Sequence, residues 1–401
     1  MLRRFHTVSL SVLGHLLGSE SLMFRRSAFL FGISVASGAI LLSANLILSR
    51  WLGPESFGGF KTVTSLAGLL VLLADLGIGA TLLRYGAEFA RTQTYKLKGF
   101  IQSLLAIRAL QFALVILLML SVATPLATLF FRDSRSHFYP ALLVYFVLLY
   151  PDLLKTLATS LQRFRLYGQS VFLSNTIAAL LAVVLGGAFG PVAAVLGWGL
   201  GQLAGNFIII RFARNQGLLD RFSFDRQVIP LWLGYGLPLF VLELANFLQT
   251  GMVSILAPWF SARAIGYFAF AYTFYGAVML MPAAISTVLM PRVAQLRASG
   301  ESVSARRILL SALAVYSVVA GVGVLATWFA TDIFLVRFLP AYLPGAFMFK
   351  GIVSLAFVLG GVTIYRGYLA IVYNPTRLAA LTLGSNTLTV IVSYLLLYSI
   401  A

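Results

Sequence analysis

Long runs without a charged residue dominate the sequence and restrict it to one class of fold. A helix needs about 20 apolar residues in succession to span the hydrocarbon core of a bilayer. Four runs meet this requirement, at residues 27–49, 109–131, 308–331 and 378–401, and a fifth, 166–210, is long enough for two helices. These runs are too long for the strands of an outer-membrane barrel, which have roughly ten residues. The chain is therefore predicted to be an all-α integral membrane protein.

The placement of the charged residues predicts how the chain is oriented. The net charge is +18. We predict eleven transmembrane helices, at 27–49, 58–83, 100–131, 138–162, 169–189, 191–212, 229–257, 265–291, 307–331, 344–370 and 376–400. With a cytoplasmic N-terminus, most basic residues fall at cytoplasmic ends and loops, and the outer side holds only Arg50, Lys61, Arg132, Arg135, Arg263, Arg337 and Lys350. This asymmetry follows the positive-inside rule and predicts an outer C-terminus. It accounts for the basicity without nucleic-acid binding.

One pattern occurs twice, 208 residues apart. It matches Trp51 with Trp259, Gly58 with Gly266, Phe60 with Phe268 and Arg84 with Arg292. We therefore predict a six-helix bundle at 27–213, a cytoplasmic linker at 214–227 and a five-helix bundle at 228–401. An even number of helices separates the repeats, so the bundles would be related by a pseudo-two-fold axis along the membrane normal and enclose a central cavity. The second bundle lacks a partner for helix six.

Residues 1–26 are predicted to form an amphipathic cytoplasmic lead-in. A signal peptide fits poorly because Glu20, Arg25 and Arg26 interrupt the region where a cleavage site would follow an apolar core. Met1 and Met23 both stay open as the functional start.

Five charged residues fall at bilayer depth: Asp75, Arg108, Asp152, Lys155 and Glu243. Charges are costly there and usually face a cavity or a partner. Two compatible interpretations stay open for Arg108: an ion pair with Asp75 of the neighbouring helix, or a fork of donors for a phosphate group. Asp152 and Lys155 lie three residues apart and so share a helix face, which predicts a local ion pair. Lys155 as a cavity cation is the alternative.

Glu243 is followed by Asn246 and Thr250 on the same face of helix seven, with Gln249 beside them and no basic residue nearby in that helix. Such a polar stripe forms either interhelical contacts or the wall of a wet cavity, and we favour the cavity. A carboxyl group in a cavity suits coupling to H+ or Na+, and Asp75 has the same potential.

Arg84, Arg163, Arg292 and Arg366 lie at predicted cytoplasmic helix ends. Each alone would anchor its helix at the lipid head groups; together they would attract an anionic head group to the inner mouth. The chain has no cysteine, and its histidines, His6, His15 and His137, fall outside the apolar runs. We therefore predict no metal site and no cofactor. The sequence has no Walker-type glycine loop, which argues against ATP-driven transport by this chain.

Several motifs resemble the bacterial polysaccharide (Wzx-type) flippases of the multidrug/oligosaccharidyl-lipid/polysaccharide exporter superfamily. They are RWLGPESFGGF, DLGIGATLLRYGAEFAR, YGLPLF, AIGYFAFAYTF and AAISTVLMPRVAQL, in this order along the chain. The resemblance implies two six-helix bundles around a central, often cationic cavity, in the bacterial inner membrane. It implies alternating access that carries a polyprenyl-pyrophosphate-linked oligosaccharide to the outer leaflet. The chain departs from the family in lacking a twelfth helix and in having QTGMV late in helix seven, where the family often has a charged residue.

The leading hypothesis is therefore a flippase, not an enzyme, with the substrate head near Arg108 and Lys155. Expected partners are the lipid-linked glycan, membrane lipid and glycan-assembly membrane proteins. A multidrug exporter of the same superfamily is an alternative, which predicts an acid-dominated, aromatic cavity. A glycan polymerase or ligase would need a sizeable outer loop for its catalytic groups, and the predicted outer loops are short. A non-transporting scaffold for glycan synthesis is a further alternative.

Overall fold

The computed structural model describes residues 2–131, 137–219, 224–372 and 375–400. These ranges contain helices and no strand, which confirms the prediction of an all-α protein. The helices are α1 (Leu2–Asp75), α2 (Ile78–Thr92), α3 (Thr94–Ser121), α4 (Ala123–Phe131), α5 (Phe138–Leu148), α6 (Leu153–Ser160), α7 (Phe164–Phe189), α8 (Pro191–Asn215), α9 (Val228–Leu231), α10 (Leu237–Thr250), α11 (Met252–Leu256), α12 (Ala262–Ala298), α13 (Ser302–Phe338), α14 (Ala346–Val372) and α15 (Pro375–Tyr398). Two 3-10 turns, Tyr150–Asp152 and Pro340–Gly345, and a π-helical turn, Trp232–Gly236, link some of them.

Ten helical stretches in the described ranges are long and apolar enough to cross a membrane, as expected of a multi-pass membrane protein. The first, Gly32–Asp75, has 44 residues. Unbroken, it would be about 66 Å long, roughly twice the hydrocarbon thickness of a bilayer. Gly53 interrupts it with φ 70° and ψ 169°, a conformation that glycine adopts without a Cβ clash. Pro54 then begins a new helical segment. Gly53 and Pro54 thus form a turn between the predicted helices at 27–49 and 58–83, while the eleven-helix count and its division into six and five stay predictions.

The segments on either side of the predicted first bundle lie partly outside the described residues. The backbone is helical from Leu2, within the predicted lead-in 1–26, and the side chains of residues 2–28 lie outside the described ones. The predicted linker 214–227 falls between the end of α8 and the start of α9, and its residues 220–223 also lie outside the description. The domain boundaries at 27–213 and 228–401 stay predictions.

The predicted uninterrupted helix at 58–83 is wrong, because a turn divides it. Leu76 and Gly77 have φ values of 41° and 80°, so α1 ends at Asp75 and α2 begins at Ile78. The Asp75 carboxylate accepts a hydrogen bond from the backbone N–H of Gly79 at 2.9 Å. This bond satisfies an N–H group in the first turn of α2 that has no partner within the helix. Asp75 therefore caps α2. Its carboxylate lies beside the Leu76–Gly77 turn, within the membrane span.

Pro238 falls inside the predicted helix at 229–257, where a proline is expected to bend or break the helix locally, and the structure confirms this. The π-helical turn Trp232–Gly236 comes first, and α10 then begins at Leu237 with Pro238 in its first turn. Proline lacks an N–H group to donate, so it is tolerated in a first turn, where such groups have no intrahelical partner. A π-helical turn is one of the usual ways in which a helix accommodates this loss.

Helices α1 and α12 cross at two glycines. A Cβ atom at Gly58 would lie 2.1 Å from the carbonyl oxygen of Ala262, and one at Gly266 would lie 1.7 Å from that of Pro54. Only residues without a side chain allow the two backbones to approach so closely. Gly58 and Gly266 are also equivalent positions of the 208-residue repeat. Their contact supports a pseudo-two-fold axis near this crossing, which stays a prediction.

Candidate functional site

Three adjoining cavities lie along α1, α10 and α12. The first-half cavity has a volume of about 490 Å³ and is lined from α1, α2, α3, α6 and α10. The connecting cavity has a volume of about 540 Å³, and the second-half cavity, lined from α10, α12 and α14, about 770 Å³. Gly68 lines both the first-half and connecting cavities, whereas Thr250, Tyr272 and Gly276 line both the connecting and second-half cavities. The predicted central cavity therefore consists of three spaces that share walls.

Arg108 is held by three contacts in the first-half cavity. Its side chain is only 3% exposed and its guanidinium donates to the Asp75 carboxylate. Its Nε donates to the backbone oxygen of Tyr150 at 3.2 Å, and the guanidinium carbon lies 4.9 Å from the centre of the Phe112 ring. The predicted pair is confirmed. An anionic ligand would have to compete with Asp75 for this guanidinium, because the two form a buried ion pair.

Asp152 and Lys155 form the predicted local ion pair. The Lys155 Nζ lies 2.9 Å from the Asp152 carboxylate and donates to Gln202 Oε1 at 3.2 Å. Asn206 Nδ2 donates to the same carboxylate at 2.7 Å. Gln202 and Asn206 both belong to α8, so the pair connects α6 to α8. Lys155 is thus neutralised by its neighbours, as Arg108 is.

Glu243 contributes a third carboxylate to the first-half cavity, from α10. It is half-buried, and among the described residues it forms no ion pair. Asn246, predicted to share its cavity, is exposed and lines none of the three cavities. Three carboxylates, those of Asp75, Asp152 and Glu243, line this cavity beside one cation, Arg108. The cationic cavity implied by the resemblance is therefore not found in this half.

The second-half cavity contains Arg366, the Gln249 and Thr250 side chains of α10, and two tyrosines of α12 that sequence reasoning missed. Arg366 was predicted at the inner mouth; it lies on α14, half-buried, in the cavity wall. The Tyr272 and Tyr275 rings stack with centroids 4.8 Å apart and an 8° interplanar angle. Gln249 Nε2 donates to the Tyr275 hydroxyl at 2.7 Å, and the Tyr272 hydroxyl donates to the backbone carbonyl oxygen of Gln249.

Lys61, assigned above to the outer side, lines the connecting cavity. Its Nζ is 5.4 Å and 5.9 Å from the ring centroids of Phe57 and Phe60. The α1 helix resumes at Pro54, four residues earlier than predicted, so Lys61 lies two turns inside the span. The sequence signal for a position inside the span is the distance of Lys61 along the chain from Gly53 and Pro54.

The remaining predicted inner-mouth cations have separate surroundings. The Arg84 guanidinium carbon lies 4.3 Å from the ring centroid of Tyr235, and that of Arg163 lies 5.9 Å from the ring centroid of Phe212. Arg292 is exposed. Each position is compatible with an anchor at the lipid head groups, and the structure describes no shared contact among them.

Close contacts also join α1 and α2 to the π-helical turn, at the end predicted to be cytoplasmic. Trp232 Nε1 donates to the backbone oxygen of Leu76 at 2.8 Å. A Cβ atom on Gly77 would lie 1.9 Å from the carbonyl oxygen of Gly236. With the Arg84–Tyr235 contact, these interactions hold the chain together at the end of α1, opposite the Gly58–Gly266 crossing near the start of the segment that begins at Pro54. These three interactions, of Trp232 with Leu76, of Gly77 with Gly236 and of Arg84 with Tyr235, are together called the Trp232 contact.

The chain is similar to known proteins both in sequence and in fold. A family model described as "Polysaccharide biosynthesis protein" matches residues 26–297. No curated protein matches the sequence.

Among solved structures, the fold is similar to that of "Lipid II flippase MurJ, inward closed conformation", with a TM-score of 0.62 at 15% identity over 92% of this chain and 87% of that chain. It is also similar to an inward-facing multidrug resistance MATE family transporter of the MOP superfamily, with a TM-score of 0.53 at 14% identity over 90% of this chain and 94% of that one. At such identities the likeness concerns the fold. The family match covers well over half of the chain and confirms the resemblance seen in its motifs: the chain belongs to the polysaccharide biosynthesis protein family.

Proposed function

We propose that the protein is a flippase that moves a polyprenyl-pyrophosphate-linked oligosaccharide from the inner to the outer leaflet of a bacterial cytoplasmic membrane. The observation that carries this proposal is the presence of Lys61, Arg108 and Arg366 along three adjoining cavities between membrane helices. Charges at bilayer depth are costly and are usually functional. A lipid-linked anion is a ligand that needs such a path, since its tail remains in lipid while its head crosses an apolar barrier.

The contacts of α1 suggest how access would alternate. The Gly58–Gly266 crossing lies at one end of its second segment, and the Trp232 contact lies at the other. Opening one contact while the other stays closed would expose the cavities to one side of the membrane at a time. We place the N-terminus in the cytoplasm and the C-terminus outside. Arg84, Arg163 and Arg292 would then attract the anionic head group towards the inner mouth.

The first-half cavity is the proposed place of ion coupling. Glu243 lacks an ion-pair partner among the described residues and shares its cavity with the Asp75–Arg108 pair. Uptake of H+ or Na+ by the carboxylates of this cavity would weaken the hold of Asp75 on Arg108 and of Asp152 on Lys155. Arg108 and Lys155 would then become available to the substrate head. Their role as substrate contacts therefore requires the ion pairs to open.

A multidrug exporter is the second candidate, and one observation favours it. The carboxylates of the first-half cavity outnumber its cations, and stacked tyrosines line the cavity beyond. Such surroundings suit an organic cation. The second-half cavity favours the flippase instead, because its only charged lining residue is Arg366 among the residues described.

Transport by purified protein in proteoliposomes separates the two. Wild-type vesicles would be supplied in parallel with a fluorescent polyprenyl-pyrophosphate disaccharide and with ethidium. The proposal predicts transfer of the lipid between leaflets without accumulation of ethidium. Accumulation of ethidium in vesicles that leave the lipid untransferred would select the exporter.

A further inference from the structure

We propose that the second-half cavity is the resting-state binding site for the phosphate-bearing head of the lipid, with Arg366 as its principal anion contact. The inference rests on the proposed function and assigns the head group to a different half of the molecule from Arg108 and Lys155. The reason for this assignment is that Arg108 and Lys155 already have carboxylate partners, whereas Arg366 has none among the described residues.

The cations of the first half are occupied. Arg108 is paired with Asp75, and Lys155 is paired with Asp152 and bonded to Gln202. An incoming phosphate would have to compete with the carboxylate of a buried pair (Arg108) or a partly buried pair (Lys155), leaving that carboxylate unpaired at membrane depth. Breaking such a pair is strongly unfavourable. These two cations are therefore poor first contacts for an anion in this conformation.

Arg366 is in the opposite situation. Among the described residues it has no carboxylate within ion-pair distance, although it is half-buried on α14 in the wall of this cavity. An unpaired guanidinium in such surroundings gains more from an anion than a solvated one does. Its planar fork of N–H groups matches the oxygens of a phosphate.

The groups around Arg366 suit a phosphate joined to a sugar. Thr363 and Ser286 line the same wall, and the Ser286 Oγ is buried without a hydrogen-bond partner among the described residues. Gln249 and the two stacked tyrosines supply amide, hydroxyl and aromatic surfaces. No atom lies within 4 Å of the Cβ position of Gly276, so this part of the wall is open. Hydroxyl and amide groups of this kind bind sugar hydroxyls and phosphate oxygens.

The size and surroundings of the cavity fit the same ligand. Its volume of about 770 Å³ lies within the roughly 300–1,000 Å³ range of small-molecule sites. The connecting cavity shares three of its lining residues and contains Lys61, a second cation without a carboxylate partner among the described residues. Lys61 would attract the same anion towards the middle of the protein. The negatively charged first-half cavity would repel it until the carboxylates there take up a cation.

Binding of geranylgeranyl pyrophosphate to the full chain in nanodiscs of zwitterionic lipid tests the inference. Arg366→Gln is expected to weaken binding about ten-fold or more, and Arg366→Lys less than that. The double variant Asp75→Asn/Arg108→Gln, which removes both charges of the occupied pair, is expected to lose less binding than Arg366→Gln does. Arg337→Gln, at an exposed position of α13, controls for loss of an arginine, and geranylgeraniol controls for binding of the tail alone.

The source of the anion is distinguished by two further arms. Inorganic pyrophosphate competes if the head group alone is recognised, and nanodiscs containing phosphatidylglycerol compete if any anionic lipid head suffices. Equal binding by wild type and Arg366→Gln, with loss in the double variant, would overturn the inference and return the site to Arg108. Absence of binding by the folded wild type would also overturn it. Transfer of the lipid-linked glycan by both the wild type and a binding-competent Arg366→Gln would reject this site while leaving the proposed function intact.

Discussion

Asp75 pairs with Arg108 and also caps α2, so one carboxylate fixes both a buried cation and the turn between two helical segments. Its partner belongs to α3, which follows α2 in the chain. The turn at Leu76 and Gly77 places the carboxylate where both the Gly79 N–H group and the guanidinium reach it. This double role gives the pair a structural consequence as well as a functional one.

Asp75→Asn is expected to destabilise the protein by about 3–5 kcal/mol, because Arg108 would be left buried without its counter-charge. The measurement is the free energy of unfolding in detergent. The matched control is Asp332→Asn, whose carboxylate is 55% exposed in its pair with Lys350 and whose loss is expected to cost about 1 kcal/mol or less. Recovery of stability in Asp75→Asn/Arg108→Gln would support the explanation. Equal losses in the two single variants would contradict it.

Gly58→Ala is expected to destabilise the crossing of α1 with α12 by about 1–3 kcal/mol, since its new Cβ would overlap the Ala262 carbonyl oxygen unless the helices separate. The change in unfolding temperature of the purified protein measures this effect. Gly321→Ala is the control, because no atom lies within 4 Å of its Cβ position. An unchanged unfolding temperature for Gly58→Ala would show that the helices do not approach so closely.

Trp232→Phe is expected to open the cytoplasmic end of the cavities more often. It removes the hydrogen bond to the Leu76 oxygen, a bond worth about 1 kcal/mol, or about five-fold in an equilibrium constant. The natural chain has no cysteine, so Thr64→Cys in the connecting cavity can report access through its rate of maleimide labelling. The control Trp328→Phe removes a similar bond to Ser354 on α13 and α14. Equal labelling rates in the two variants would reject a gating role for the Trp232 contact.

Glu243→Gln is expected to make transport insensitive to an imposed proton or sodium gradient, because it removes the carboxylate of the first-half cavity that has no ion-pair partner among the described residues. The measurement is the rate of lipid transfer in vesicles with and without the gradient. Glu88→Gln, an exposed position on α2, is the control for loss of a carboxylate. A variant at position 243 that keeps the full gradient-dependent rate would remove this residue from coupling.

The sequence predicted the parts of the structure that depend on residue type and spacing along one helix. Uncharged runs predicted the membrane helices, and the i,i+3 spacing predicted the Asp152–Lys155 pair. The cost of burying Arg108 gave its pairing with Asp75 as one of two compatible interpretations. The turn at Leu76 was missed, since a non-glycine residue with positive φ has no clear signature in sequence. The sequence therefore locates the costly charges better than the breaks between helices.

The second-half cavity was missed for a different reason. Its tyrosines and Gln249 lie on separate helices inside apolar stretches, and only their assembly in three dimensions makes a site. Arg366 was recognised as a cation near a helix end, but its depth in the cavity depends on how α14 packs against α12. Similarly, the position of Lys61 depends on where α1 resumes after Gly53. In each case packing between helices, not the local pattern, determines the surroundings.

Lipid transfer by the wild-type protein tests the central claim most directly. A fluorescent polyprenyl-pyrophosphate disaccharide would be placed in both leaflets of proteoliposomes, and dithionite added outside would quench only the outer-leaflet pool. The flippase proposal predicts that quenching continues beyond that pool in vesicles containing folded wild-type protein, and stops there in protein-free vesicles. Quenching that stops at the outer-leaflet pool in both, with folded protein and intact vesicles, would contradict it.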